Sequence, residues 1–388
     1  MDRRTLLELF AGIPLAATLG VRTRADRVVV IGGGILGCAV AYRLARRGAE
    51  VTLCERDLIG AGASSKSAAW INAHHAKSPQ HYFEINRLST LAWRELEREV
   101  DGVRVKWGGR IEWSADEEGT RVLEEAARQQ QRWGYPIELV DDAHLQEMVP
   151  SLVVDPDLRL AAYAALEGGV DPMGSLHALV AAAEANGAVV RIDTEVTGID
   201  VRGDRVSAVR TSTGTIEADV VVVAAGVDTE TIAGWLDVRV PLRAAPGVLG
   251  YTSGPGVDLP CIVAGPDVNI VPRPGGSHVI ARGFVGEPVY SEQRPSSAVD
   301  EAEDVLRLIK RRFRGMDDAP LDTVTLGWRP LPVDGHPVAG FARSVTGLYP
   351  LVTHSGYSLA ATLSSLAAIE ILDGVSVDLL APYRPTRF

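Results

Sequence analysis

Three glycines spaced Gly32-x-Gly34-x-x-Gly37 follow directly on the β-branched run Val28–Ile31. Such a turn, entered from a buried strand and left through a helix, is built to hold a dinucleotide by its pyrophosphate. One glycine makes the tight turn, one lets backbone approach the phosphates, and one lets the helix pack against the strand. Gly33, Ile35 and Leu36 complete the loop. The helix that starts there presents unpaired N–H groups and a partial positive charge to an anion. A second predicted strand, Val51–Leu53, ends at Glu55, where a carboxylate can accept hydrogen bonds from ribose hydroxyls, and Arg56 follows it. This fingerprint binds NAD and FAD alike.

The stretch from Gly60 to Asn72 is rich in small and hydroxyl residues, with Ser64, Ser65 and Ser67 among them. It reads either as an ordinary connector or as a loop offering hydrogen bonds to a second phosphate and a ring edge. His74-His75 follows, placed for polar substrate contact or simply in a loop. Near the C-terminus, His354-Ser355-Gly356 is a turn into a predicted helix that runs to Leu372, a second helix N-terminus able to face an electron-rich group. Trp328–Pro337 reads as a rigid, proline-rich loop.

Positioning these residues requires a nucleotide-binding sheet threaded through a second domain. The first is assembled from 26–79, 166–235 and 326–388. In its middle segment a helix over Ser175–Asn186 and a strand over Ala188–Ile192 lead into a β-hairpin, TEVTGIDV and VSAVRTS around Arg202–Arg205. The strand VVVV then ends near Gly226. The second domain takes 80–165 and 236–325. Helices are predicted there at His81–Val100, Glu117–Trp133 and Asp300–Phe313, and strands at Lys106–Trp113, Val248–Tyr251, Cys261–Val263 and Ser277–Ala281.

Composition narrows the classes. The chain has 388 residues with 39 Lys and Arg against 50 Asp and Glu, a net charge of −11, which disfavours a general nucleic-acid binder. Its three cysteines form no CxxC pair, so neither a disulfide scaffold nor a metal site is expected. Residues 1–25 carry Arg3-Arg4 and a mostly apolar run from Leu6 to Leu19, shorter than the roughly 20 residues that span a bilayer. They read as a twin-arginine export leader or as a tag or frayed helix, which leaves cytoplasmic residence and export of the folded protein both open. No other segment has the length to cross a membrane, so no integral membrane segment is expected.

Taken together, VVVIGGGILG…ERD, GAGASSKSAAW, TEVTGI…VVVVAAG, GWRPLPVDGHPVAG and THSGYSLAATL resemble the D-amino-acid oxidase superfamily of FAD-dependent oxidoreductases. That superfamily includes glycine oxidase, sarcosine oxidase and D-amino-acid dehydrogenases. The resemblance implies an α/β fold: a Rossmann-type FAD-binding domain with a parallel sheet and inserted β-hairpin, plus an α+β substrate domain built on an antiparallel sheet. It places FAD on Gly32, Gly34, Gly37, Glu55, the Ser64–Ser67 loop, Val196 and Gly226, with Ser355, Gly356 and Ser358 beneath the ring. Arg329 aligns with the arginine that binds the substrate carboxylate, and Tyr357 with the turn under the ring.

The implied activity is oxidation of an amine or amino acid (a D-amino acid, glycine or an N-methyl amino acid) by hydride transfer to flavin N5, giving an imine. The electrons then pass to oxygen or a quinone. Some relatives link flavin through a histidine or a cysteine. Ile71 stands where the histidine often is, and Cys261 lies outside the matching segments, so noncovalent FAD is expected. Arg329, Tyr357 and His74 are the candidate catalytic residues. His74, Tyr251 and Arg282 are candidate substrate contacts beside Arg329, with Arg273 and Tyr290 as further pocket-lining candidates. A flavin enzyme for 2-hydroxy acids and a non-catalytic flavin-binding assembly protein are the alternatives.

Overall fold

A computed structural model describes residues 27–74, 77–154, 158–253, 257–283 and 297–388. The leader, His75 and Tyr290 lie outside the described residues.

The β-branched runs of the sequence become the central strands of a six-stranded sheet. Its order is Val338–Ala339, Leu348–Val352, Val220–Val223, Arg27–Ile31, Glu50–Cys54 and Val189–Arg191. Neighbours are parallel except for the short Val338–Ala339 edge. Val28–Val30 and Val220–Val223 are buried on both faces, which is why they read as continuous apolar runs rather than alternating ones. The helices Ile35–Arg46, Pro172–Ala185 and Gly356–Asp373 cover one face, interlocking Val40, Leu44, Leu176, Leu179, Leu359 and Leu363 in one core. The inserted hairpin gains a third strand, forming an antiparallel meander of Val196–Arg202, Arg205–Thr211 and Gly214–Glu217.

The remaining segments meet in an eight-stranded sheet ordered Thr323–Pro332, Leu242–Thr252, His278–Arg282, Val268–Pro272, Ile262–Ala264, Arg110–Trp113, Ala161–Ala164 and Ile137–Val140. Every pairing is antiparallel except Ile262–Ala264 with Arg110–Trp113. The helix Ala298–Arg312 packs Val305, Leu306 and Ile309 onto it and leaves its charges outward.

Two expectations are corrected. Lys106–Trp113 is not one strand: it breaks at Gly108-Gly109 into Val105–Trp107 and Arg110–Trp113, which join different sheets. The expected loop at Trp328–Pro337 is strand through Pro332, paired along Leu242–Thr252. Pro330 and Pro332 are tolerated because this strand is the sheet's edge, where a missing N–H need not break a ladder.

A buried charge cluster closes the C-terminal end. Glu370, 2% exposed, accepts from Arg384 at 2.5 and 2.7 Å, from Tyr349 OH at 2.9 Å and from Val377 N–H at 2.7 Å. Arg384→Ala strands that carboxylate in the core and should lower stability by about 3–5 kcal/mol, read from urea unfolding. A loss below about 1 kcal/mol would show that the cluster contributes little.

Candidate active site

A cleft of about 1670 Å³ opens between the two large sheets. That exceeds the roughly 300–1,000 Å³ of pockets for drug-sized ligands, leaving room for a dinucleotide and a small second molecule. Its floor includes Ile31, Cys54, Ala224 and Val352, at or just past the carboxyl ends of four strands of the mostly parallel sheet, where open α/β sheets bind ligands.

The glycine turn fits a pyrophosphate. Gly32 has φ +108°, and a Cβ there would lie 2.5 Å from the Ala224 carbonyl oxygen. A Cβ on Gly37 would lie 1.9 Å from the Gly32 carbonyl oxygen, so the helix can approach the strand only without a side chain. Glu55 accepts the Gly33 N–H at 2.7 Å and the Asp57 N–H at 2.9 Å, so this acid shapes the turn. The Ser64 hydroxyl accepts the Ile35 N–H at 3.0 Å and thereby caps the helix from a distant loop. Arg56 reaches Asp228 at 3.0 Å across the cleft, which Thr194 and Val196 also line.

Of the residues expected at the cofactor, Gly32, Gly34, Ile35, Leu36, Glu55, Arg56, Ser64, Ser67, Val196, Gly226, Ser355, Gly356 and Ser358 line this one cleft. Gly33, Gly37 and Ser65 stand behind the lining and shape it: the Ser65 carbonyl accepts from Tyr251 OH at 3.2 Å. Ser358 donates to the Trp70 carbonyl at 3.0 Å, tying the C-terminal helix to the hydroxyl-rich loop. Arg273, 6% exposed, donates to the carbonyls of Ser67 and Val170, a bracket under the same loop rather than a lining residue.

The residues expected to act on substrate divide. Arg329 lines the cleft from the edge strand, its fork steadied by Nη2 donating to the Pro246 carbonyl at 2.8 Å. Arg282 lies at the mouth, half-exposed, 3.9 Å from Asp304. His74 is 4% exposed and does not line the cleft; its Nδ1 lies 2.7 Å from Gln130 Oε1, beside the buried Arg110 and Glu167 and the half-buried Glu112. Burial pushes the Glu167 carboxyl up, against the Arg110 charge and the N–H groups of Ala73 and His74 that pull it down. Tyr251 is likewise off the lining, committed to the Ser65 carbonyl.

Tyr357 lines the cleft, but its hydroxyl donates to the carbonyls of Ser64 and Pro172, each at 3.2 Å. Burial holds the phenol well above its ordinary range. Tyr357→Phe should therefore keep FAD and turn over within about threefold of wild type while costing about 1–2 kcal/mol of stability. A hundredfold loss of kcat would restore its catalytic reading.

Lys77, Tyr82, Trp70, Asn72 and His336 also line the cleft and were not singled out from the sequence. Lys77 stands in the polar stretch AHHAKSP, which carries no sign of burial. All three cysteines are buried. Burial pushes the Cys38 and Cys261 thiols up to about 12 and Cys54 to about 11, so none is a ready nucleophile. Among the described residues there is no cluster able to hold a metal ion and no helix long and apolar enough to cross a membrane.

Comparison with known proteins agrees with this geometry. A family model described as FAD dependent oxidoreductase (DAO) matches residues 27–370. One of the subunits of opine oxidase from Agrobacterium tumefaciens is 24% identical over 93% of this chain and 97% of its own length. Glycine oxidase of Geobacillus kaustophilus is 27% identical over 93% of this chain and 96% of its own. The solved L-amino acid deaminase of Proteus vulgaris superposes with a TM-score of 0.83, covering 94% of each chain at 24% identity.

Proposed function

Because the chain belongs to the DAO family of FAD-dependent oxidoreductases, we propose that it oxidises the C–N bond of a small amino acid or N-substituted amino acid bound through its carboxylate. The observation that carries this reading is one cleft lined both by the pyrophosphate turn and by Arg329. We assign 26–79, 166–235 and 326–388 to holding FAD, and 80–165 and 236–325 to forming the substrate side.

When bound, FAD supplies the acceptor for a hydride leaving the substrate carbon, and the imine so formed hydrolyses. The chain's part is positioning. Backbone at Gly32 and Gly34 receives the pyrophosphate, and Glu55 takes the ribose hydroxyls while bracing Gly33. Ser67, Ser355 and Ser358 offer polar atoms along the floor. Arg329 clamps the carboxylate in its planar fork, fixing the donor carbon against the ring. A substrate amine that enters neutral needs no protein base, in keeping with Tyr357 and His74 being committed elsewhere. The names of relatives matched over nearly their whole length, opine oxidase and glycine oxidase, support a nitrogen-bearing acid.

The test is anaerobic mixing of the yellow protein with amino acids, N-alkyl amino acids, simple amines and 2-hydroxy acids. Loss of the flavin band at about 450 nm with the amino acids is expected. Bleaching by hydroxy acids alone, or by none of the panel, overturns the proposal.

A further inference from the structure

Asn269 holds an acceptor that the fold leaves unused. The residue lines the cleft yet is 4% exposed, and its Oδ1 has no hydrogen-bond partner among the described residues. Its Nδ2 donates to the Arg282 carbonyl at 3.0 Å, which fixes the amide, since the flipped group would set oxygen against oxygen. The large majority of buried side-chain acceptors in folded proteins find a donor. Here the donor has to come from what enters the cleft.

The strand register measures how far this acceptor stands from Arg329. Asn269 is opposite Ala281, and Ala281 is one step past the Gly250–Ile280 pair, in line with Leu249. Asn269, Ala281, Leu249 and Gly247 all line the cleft. The Arg329 side chain lies over Gly247, where a Cβ would come 3.4 Å from its Nε. From Gly247 to Asn269 is two strands across and two residues along, about 12 Å at about 4.8 Å per strand and about 3.4 Å per residue. An amino acid clamped at Arg329 covers that span if its side chain ends in a donor roughly four to five atoms past the reacting carbon, with hydrogen bonds of about 2.9 Å at both ends.

The charge around Asn269 says which kind of donor. This end of the cleft is lined by Asp267, by Asp300, Glu301 and Asp304 of the helix Ala298–Arg312, and by Arg282. Asp267 is held by Arg312 through Oδ2 at 3.0 Å, but its Oδ1 has no hydrogen-bond partner among the described residues. Arg282 lies 3.9 Å from Asp304, which also pairs with Arg307. Carboxylates in the first turn of a helix favour its dipole in any case, so Asp300 and Glu301 alone would indicate nothing. The unused amide oxygen beside them is what points to a ligand. An acceptor backed by an excess of carboxylates takes a guanidinium or an alkylammonium and turns away a second carboxylate.

We propose that Asn269 and this acidic rim form a side-chain subsite that selects amino acids, free or N-substituted, whose far end is cationic. This rests on the amino-acid reading above and names the class of side chain within it. Arg329 fixes the carboxylate and Asn269 the opposite end, so the reacting carbon is held between two anchors.

The experiment is anaerobic flavin bleaching by arginine, lysine, norleucine and 2-aminoadipate, each free and N-methylated and as both enantiomers. Norleucine has the reach of lysine without the charge, and 2-aminoadipate reverses the charge. Wild type should favour arginine or lysine over norleucine at least about tenfold in rate at limiting concentration, as one hydrogen bond to a charged group implies, with 2-aminoadipate the poorest. In Asn269→Leu that preference should shrink at least about fivefold, through half-saturation rather than limiting rate, whereas Asn269→Asp should keep or enlarge it. If N269L does not purify yellow, Asn269→Ala gives the same comparison. A wild type that treats arginine, lysine and norleucine alike, or that prefers 2-aminoadipate, overturns the proposal and leaves the amino-acid reading standing. A cationic preference unchanged in N269L or N269A also overturns it, because the contact then lies elsewhere. Bleaching by none of these acids sinks the amino-acid reading itself, a distinct outcome.

Discussion

Arg329→Leu should lower kcat/KM for a carboxylate substrate by about 10³, with FAD still bound and the absorption spectrum unchanged. The magnitude follows from removing one member of a hydrogen-bonded charge pair, about 2–5 kcal/mol, where each 1.36 kcal/mol is tenfold in rate. The guanidinium is anchored by the carbonyls of Pro246 at 2.8 Å and Ala245 at 3.4 Å, so its direction is set before substrate arrives. Arg329→Lys keeps the charge but not the planar fork, and should fall between the two. The loss should be small for an amine without a carboxylate. Wild-type kinetics for the leucine variant would place the carboxylate elsewhere.

Gly37→Val should purify colourless, with affinity for FAD weakened at least about a hundredfold. A Cβ at this position would lie 1.9 Å from the Gly32 carbonyl oxygen and 3.5 Å from Val30 Cγ1, so helix and turn must separate. That movement carries the helix N-terminus away from the phosphates, removing both the geometry and the field that bind them. Gly234→Ala is the matched control, because a Cβ there meets nothing within 4 Å. Stoichiometric FAD in the valine variant would mean that the turn relaxes without leaving its ligand.

The strand, glycine turn and helix over Arg27–Arg46 were legible because they are contiguous in the chain and each announces the next. The C-terminal turn at Ser355–Gly356 was legible for the same reason. Side-chain roles were not. Tyr357 and His74 have the right chemistry and stand near the right segments, yet their polar atoms are taken by Ser64, Pro172 and Gln130. The proline-rich stretch at Trp328–Pro337 looked irregular because nothing in it shows that its partner is Leu242–Thr252, or that it lies at a sheet edge.

Lys77 is the sharpest case. Its sequence neighbourhood is polar and ordinary, yet the fold buries it and gives its ammonium a hydrogen bond to Ser355, a residue 278 positions away. By itself the amino-acid sequence determined a dinucleotide-binding turn and the α/β framework, since backbone turns and strand patterns are encoded by contiguous residues. Only the tertiary structure decided which polar groups face the cleft and which are used up holding it together. Burial and hydrogen-bond partners arise from contacts between distant segments, and side chains of identical chemistry become structural or functional according to what the fold sets beside them.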